Sequence, residues 1–445
     1  MADYPTEKLK CWDKAKELRR KIYGEFVTAH ERGEPVTAGS GASHFALPQG
    51  LGKVHWLSGE SYGALIAANK DFCTESLEAF EKAGYARDLC AYMRDFLGAQ
   101  MIDKYLDAEG KIHQPFPKID FFFTYHVCDD HARWWMKSRD IQKEKTGYDA
   151  PLFAYEQPGC YNWAEMTTPW QHDYVLEQIL EGIEFMEKAT GRTWDDEKFK
   201  EAFYNEARTG KAYTEAALCN QNIPAPMDEK MIYTFLGLTS IRPWDPEVAS
   251  FMEEFRDEIM DRTERGIAAV PNERYRVMTD SNPPWQGLQI FRHLQKEYGV
   301  VSLGSIYSLG LHGPWMYDEN KKIVPSPIPH DTGVPMRNRE ELLRAHIDWK
   351  GSFMTGFEVF NSIAHGELIK RMFEQWKVDG YLMHLNRGCV GNVGQKLVRL
   401  DLLEAGYPVC VYEGNVGDYR EFDLERSLEK IDSFFDGVIG KIRKE

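Results

Sequence analysis

This 445-residue chain has no run of about 18 apolar residues, and its opening stretch MADYPTEKLKCWDKAKELRRK is charged throughout. Both absences argue against a membrane span or a secretory leader, so a cytoplasmic protein is expected. Basic charge is short: 54 Lys and Arg against 70 Asp and Glu leave a net charge of −16. A nucleic-acid surface needs clustered Lys and Arg, so that function class is disfavoured. The eight cysteines form no Cys-x-x-Cys pair, the nearest two being Cys73 and Cys90. Zinc-finger and ferredoxin-type runs are thereby excluded, and any metal centre must be assembled by folding. A phosphate-binding P-loop and a dinucleotide fingerprint are also missing, because GSGASHFALPQGLG at 39–52 fits neither pattern. The chain is not expected to bind ATP; that glycine-rich turn reads as structural, or as a contact for substrate or CoA.

What is present alternates between strand and helix. A helical arm is expected over 1–35, where Leu9, Trp12, Ala15, Leu18, Ile22 and Phe26 recur at helical spacing before Gly33-Glu34-Pro35. Over 36–165, VTAGSG, VHWLSG and IDFFFTYHV read as strands separated by helices at 63–83 and 88–97, the mark of a parallel sheet. A helical bridge follows over 166–270, and strand character returns at RYRVMTD for a second α/β domain over 271–445. A chain of this length exceeds what one core usually serves. The expected fold class is α/β, with two flavodoxin- or Rossmann-like parallel-sheet domains. The region 312–338, with five prolines, is long enough for a lid, a subunit contact or a surface decoration.

The two α/β regions echo one another. KIDFFFTYHVCDDHARWWMKS and TGYDAPLFAYEQPGC run from Lys118 to Cys160; VDGYLMHLNRGCVGNVGQKLVRL and AGYPVCVYEGNVGD run from Val378 to Asp418. In each copy a strand ends near a cysteine, Cys128 or Cys389, a helix follows, and a second strand ends in Tyr-Glu. Ligands bind beyond the carboxyl ends of such strands. Two cysteines facing each other across a cleft suit a shared metal centre. Cys90 fits the same setting, in the expected first turn of an amphipathic helix (RDLCAYMRDFLG). Helix amino termini stabilise thiolates, and three thiolates suit an iron–sulfur cluster whose sulfides the amides of Gly388, Gly391 and Gly394 could approach. Cys11, Cys73, Cys219 and Cys410 read as small buried apolar residues.

The segments LCAYMRDFLG around Cys90, FFFTYHVCDDHARWW around Cys128, DGYLMHLNRGC around Cys389 and the closing VCVYEGNVGDYREFDLERSLEKIDSFF resemble the 2-hydroxyacyl-CoA dehydratase and benzoyl-CoA reductase superfamily. The length and the EGNVGDYREFD ending look most like the larger cluster-bearing subunit of ATP-dependent benzoyl-CoA reductases. The resemblance implies one 4Fe-4S cluster held by Cys90, Cys128 and Cys389, with one iron open. It implies single-electron reduction of an aromatic acyl-CoA, such as benzoyl-CoA, to a cyclic diene. It also implies a hetero-oligomer: a smaller homologous cluster-bearing subunit, two ATPase activator subunits carrying ATP and a further cluster, and reduced ferredoxin. A close rival keeps the cluster and dehydrates a 2-hydroxyacyl-CoA through a ketyl radical. A third reading is a metal-free α/β ligand-binding protein.

Protons must come from groups near the substrate. His126, two residues before Cys128, is the favoured donor over His384, and strand alternation would set His126 on the same face as Cys128. Glu156 and Glu413, closing the echoed second strands, are weaker candidates. Asn386, Arg387 and Gly388 lead into Cys389 and could serve cluster or thioester, or simply a turn. Trp134, Trp135, Phe121 to Phe123 and Tyr125 suit either an apolar cavity for a planar ring or plain core.

Overall fold

The computed structural model describes residues 3–40, 44–126, 128–156, 169–280, 282–310, 313–351, 362–389, 391 and 394–440. The first half runs through α1 (Trp12–Thr28), β1 (Val36–Gly39), β2 (His55–Ser58), α2 (Gly59–Ala67), α3 (Lys70–Lys82) and α4 (Ala91–Met101). A small hairpin follows, β3 (Tyr105–Leu106) with β4 (Ile112–His113), then β5 (Phe121–Tyr125), α5 (Asp129–Thr146) and β6 (Leu152–Tyr155). Four helices come next: α6 (Pro169–Thr190), α7 (Asp196–Leu218), α8 (Glu229–Ile241) and α9 (Pro246–Glu264). The second half contains β7 (Tyr275–Asp280), α10 (Gln289–Tyr298), β8 (Val300–Ser305), a hairpin of β9 (Trp315–Tyr317) and β10 (Ile323–Pro325), α11 (Arg339–Gly351) and α12 (Ser362–Trp376). It closes with β11 (Gly380–Asn386), α13 (Gln395–Glu404), β12 (Val409–Gly414) and α14 (Leu424–Phe434).

The fold is α/β with two four-stranded parallel, Rossmann-like sheets, ordered β2-β1-β5-β6 and β12-β11-β7-β8. Taken from its other edge, the second sheet repeats the first: β7 and β8 answer β1 and β2, and β11 and β12 answer β5 and β6. The echoed segments therefore occupy equivalent strands. In register, Tyr125 faces Tyr155 and Asn386 faces Gly414. Because all strands of a sheet run the same way, each sheet collects its loops at one carboxyl edge.

Local chemistry explains most boundaries. The helix expected over 63–83 is two helices, because Asn69 accepts from Phe72 N–H at 3.2 Å and caps a new start. Aspartates cap α7, α8, α9 and α14 through Asp195, Asp228, Asp245 and Asp423. The acidic first turn of α5 (Asp129, Asp130), its basic last turn and the left-handed Gly147 match the helix dipole and the stop. The amino-terminal helix α1 is part of the main core, burying Ala15, Leu18, Ile22, Tyr23 and Phe26. Strand β8 stops at Ser305, where a π-helical turn begins. The proline-rich region carries the β9–β10 hairpin and a short turn at Pro329–Asp331; His312 lies outside the described residues.

Trp134, Trp135 and Phe121 to Phe123 are fully buried core, and Tyr125 stacks on Tyr155 with ring centroids 5.6 Å apart. No helix among the described residues is long and apolar enough to cross a membrane.

Candidate functional site

Three of the seven described cysteines, Cys11, Cys73 and Cys410, are buried. Cys90, Cys128, Cys389 and Cys219 are each half-buried, so Cys219 departs from the buried setting expected of it. Cys90 is the N-cap of α4, not a residue of its first turn, and Cys128 is the N-cap of α5. Cys389 departs from the expected pattern. It sits in the turn after β11, and α13 starts only at Gln395 behind the left-handed Gly394. Its sulfur is served by single donors: Gly391 N–H at 3.4 Å and the Asn282 side-chain amide at 3.7 Å.

The segments that carry the three thiols pack together. Cys90 N–H donates to Asp130 Oδ2 at 3.3 Å, tying the head of α4 to the head of α5. Gly388, with φ of +76°, lies so close to the Asp88–Leu89 backbone that a Cβ would stand 2.9 Å from the Asp88 carbonyl oxygen. The turn leading to Cys389 thus rests on the segment leading to Cys90. Cys90 feels Cys389 and Cys128 as neighbouring charge, and Cys389 feels Cys128 in the same way. Burial pushes the Cys90 thiol well up and the Cys389 thiol up to about 11, and repulsion between the sulfurs adds to both.

Around Cys128 the support is charged. His131, one turn into α5, places Nε2 2.8 Å from Glu60 Oε1, and Glu60 also accepts from Ser40 Oγ at 3.0 Å. Burial alone would lower His131, but the Glu60 carboxylate and the adjacent Cys128 sulfur outweigh it and hold the imidazole up at about 10. His131 Nδ1 is buried with no hydrogen-bond partner among the described residues. An aromatic wall stands alongside: Trp285 Nε1 donates to Tyr92 OH at 2.6 Å, and Tyr92 bonds Tyr307.

The other expected residues fall into two groups. His126 lies just past the end of β5, so strand alternation does not extend to it. It pairs with Glu156 at 2.8 Å, and α6 holds the Glu156 backbone through Gln178. His384 lies inside β11, fully buried; burial lowers it to about 4, its Nδ1 bonds the Asn282 carbonyl at 2.8 Å and its ring stacks on Tyr412. Asn386 Oδ1 accepts from Val416 N–H at 2.9 Å and shapes the loop after β12. Arg387 and Glu413 are exposed and stand 4.0 Å apart. In the glycine-rich 39–52 stretch, a Cβ on Gly50 would collide with Trp194, so that glycine serves packing.

The closing motif locks the halves. Arg94, fully buried on α4, donates to the Leu89 carbonyl at 3.0 Å, to Asp418 at 3.1 Å and to Glu81 at 3.4 Å. Gly417 faces Asp95 and Ala91 with no room for a side chain, and Cys73 Sγ donates to its carbonyl at 3.0 Å.

A cubane takes one thiolate per iron, so its ligands surround it and do not converge on a point. Among the described residues no His, Cys, Asp or Glu set encloses a single ion. The donor set suits a cluster. Three thiols with an orphaned imidazole N–H beside one of them match an anionic sulfur cage, which would accept that hydrogen bond.

Two Rossmann-like parallel sheets of one topology define a pseudo-duplicated α/β protein, with Cys128 and Cys389 at comparable places after β5 and β11. Comparison with known proteins narrows this class. A family model described as 2-hydroxyglutaryl-CoA dehydratase, D-component, matches residues 62–437, and the chain belongs to that family. It is 24% identical to the (R)-2-hydroxyisocaproyl-CoA dehydratase alpha subunit of Clostridioides difficile, over 91% of this chain and 90% of the relative. It is 23% identical to the alpha subunit of (R)-2-hydroxyglutaryl-CoA dehydratase from Acidaminococcus fermentans, over 95% and 96%. It is 22% identical to a benzoyl-CoA reductase subunit from Thauera aromatica, over 80% and 78%. The family therefore spans acyl-CoA dehydratases and a benzoyl-CoA reductase.

Glu60, His131, Asn282 and Tyr307 are not expected from the sequence. Only His131 has a local signal, its place one helical turn after Cys128. The others reach the site from distant segments.

Proposed function

We propose that this chain is the subunit of a cytoplasmic acyl-CoA enzyme that holds one 4Fe-4S cluster on Cys90, Cys128 and Cys389, with one iron open. The observation that carries the reading is the packing together of three cysteine-bearing segments far apart in sequence: Cys90 N–H bonds Asp130 at the head of α5, and Gly388, next to Cys389, rests on the Asp88–Leu89 backbone. When bound, the cluster would supply single electrons and an open iron able to polarise a substrate oxygen. The chain's own residues do the rest. The three thiolates bind. Gly391 N–H and the Asn282 amide donate toward Cys389, and His131 Nδ1–H is placed to donate beside Cys128. Tyr92, Tyr307 and Trp285 exclude water. Glu60, held by Ser40 and His131, is a carboxylate within the site.

The substrate we favour is a 2-hydroxyacyl-CoA. The family description and two relatives aligned over nine-tenths or more of both chains support dehydration. The match to a benzoyl-CoA reductase subunit and the EGNVGDYREFD ending favour a second reading, reduction of an aromatic acyl-CoA. Either reaction needs an electron source. The partners proposed are a smaller homologous cluster-bearing subunit, two ATPase subunits and reduced ferredoxin.

The test is iron and acid-labile sulfide analysis with electron paramagnetic resonance, on chain co-expressed with its partner and kept anaerobic. About four irons and four sulfides per chain are expected. Assays with 2-hydroxyacyl-CoAs and benzoyl-CoA, with ATP and a low-potential reductant, then separate the readings, since dehydration consumes no net reductant. Iron-free protein that was never exposed to oxygen would overturn the cluster and favour a metal-free ligand-binding protein.

A further inference from the structure

A second ionisable network is buried outside the thiol centre. His44, in the loop after β1, brings Nδ1 to 3.2 Å from Nδ1 of His346 on α11. His346 Nε2 lies 3.0 Å from Glu206 Oε2 on α7, and Lys350 Nζ lies 2.5 Å from Glu206 Oε1. His44, His346 and Glu206 are 4%, 1% and 3% exposed, while the Lys350 side chain, at 15%, reaches water. Phe199, Phe203 and Trp349 wall the network. Four linked ionisable groups among aromatic rings are far more than packing requires, since each buried polar group must be satisfied.

Two Nδ1 atoms at hydrogen-bond distance fix where the protons sit, because one must donate and the other accept. Burial opposes charge on Glu206, but Lys350 and His346 outweigh it and keep the carboxylate ionised. Glu206 accepts from His346 Nε2–H. Burial keeps His346 neutral, so its Nδ1 accepts from His44 Nδ1–H. His44, held neutral by burial, then carries a lone pair on Nε2 at the end of the chain. Other groups facing the network are His172 on α6, bonded to Asp348 at 2.5 Å, Tyr155 on β6, and His330 across Phe203.

His44 is also in the right part of the fold. Its backbone N–H donates to Tyr155 OH at 3.1 Å. Four residues earlier, Ser40 holds Glu60, which holds His131 beside Cys128. His44 and Cys128 thus share the carboxyl edge of the first sheet.

We propose that His44 Nε2 takes up a proton from the bound acyl-CoA and that His346, Glu206 and Lys350 form the relay carrying it toward solvent. The proposal rests on the acyl-CoA reading above. In dehydration of a 2-hydroxyacyl-CoA the α-carbon loses hydroxide and the β-carbon loses a proton. The C–O and C–H bonds break, the C=C bond forms, hydroxide and proton make water, and no electron is consumed. His44 Nε2 accepts the β-proton, His44 Nδ1 passes its own to His346 Nδ1, and His346 Nε2 passes its own to Glu206. His346, Glu206 and Lys350 are positioning residues.

The first measurement needs neither cluster nor substrate. Nitrogen-15 spectra of histidine-labelled full chain, assigned with His44→Gln and His346→Gln, should show neutral His346 as the Nε2–H tautomer and neutral His44 as the Nδ1–H tautomer. Glu206→Gln should reverse both, because its amide donates where the carboxylate accepted. In the complete enzyme, His44→Gln should lower kcat about 100- to 10,000-fold with KM and iron content unchanged. Glu206→Gln should retain more activity and move the acidic limb of the kcat profile to lower pH, because the imidazolium loses its carboxylate. An Nε2–H tautomer at wild-type His44, or His44→Gln turnover within about twofold of wild type, overturns the relay. A wild-type complex inactive on every acyl-CoA sinks the substrate reading and the proposed step with it, whereas wrong tautomers in an active enzyme sink the relay alone.

Discussion

In the first half of the chain, β5 gives way within three residues to α5, an 18-residue helix that begins at its cysteine and buries Trp134 and Trp135. In the second half, β11 is followed by a glycine-rich turn and then by α13, a 10-residue helix that exposes Leu397, Leu400 and Leu403. The strands are equivalent and the cysteines occupy comparable places after them, yet their surroundings differ. Cys128 lies beside an imidazole raised by a carboxylate, whereas Cys389 takes neutral N–H donors from Gly391 and Asn282. Cys90 has no counterpart among the described residues of the second half. A duplicated scaffold thus supplies a symmetric frame, and the loops at its edge make the centre asymmetric.

The comparison breaks most completely at the sulfurs. Cys128→Ser or Cys389→Ser should abolish cluster occupancy, while Cys219→Ser, in the short turn that closes α7, leaves it unchanged. Iron and sulfide per chain measure this, and equal iron in all three variants would remove the ligand assignment.

Separating the halves should come next. Arg94→Met leaves Asp418 buried without one of its two closest cations but still paired with Arg420, so the cost should fall below the about 3–5 kcal/mol of a wholly unpaired buried charge. Denaturant unfolding checks it. Burial opposes charge on Asp418, but Arg420 and Arg94 outweigh that and lower it to about 2. An acid with a depressed folded-state pKa stabilises fully above its unfolded value, near about 4, and the stabilisation is lost as pH falls toward 2. Asp418→Asn should therefore lack this acid-dependent loss.

The charged support on one side is sharpened by His131→Gln, which keeps all three thiols. Loss of a group bonded around a metal ligand weakens metal binding about 10–100-fold. Titration of cluster loss with a chelator would show it, and a variant as resistant as wild type would confine His131 to packing. Leu400→Glu on α13 should have the smallest effect, within about 0.5 kcal/mol in the isolated chain, because the side chain is already exposed. Thermal unfolding of the chain alone measures that.

Much of the frame is legible because periodicity and caps are local. The two sheets, their parallel sense and the echo between 118–160 and 378–418 follow from alternating apolar runs and turn signals. The break at Asn69 is hidden because Asn69 interrupts an otherwise continuous apolar stripe and acts only through its cap. The helix after Cys389 starts later than its sequence suggests, since GCVGNVG carries glycines that serve a turn as readily as a helix amino terminus. His126 and His384 show the limit more sharply. Each stands near a cysteine in sequence, yet one pairs with Glu156 at the surface and the other is neutral inside β11.

By itself the amino-acid sequence determined the α/β class, the duplication and the three cysteines that stand at strand and helix ends, because strand and helix periods and helix-end residues act over a few positions. Tertiary structure alone decided that Glu60 and Asn282 reach the thiols, that Arg94 and Asp418 join the halves, and that His44 meets His346. These contacts join residues tens to hundreds of positions apart, and their partners are chosen by how sheets and helices pack, which no local pattern encodes.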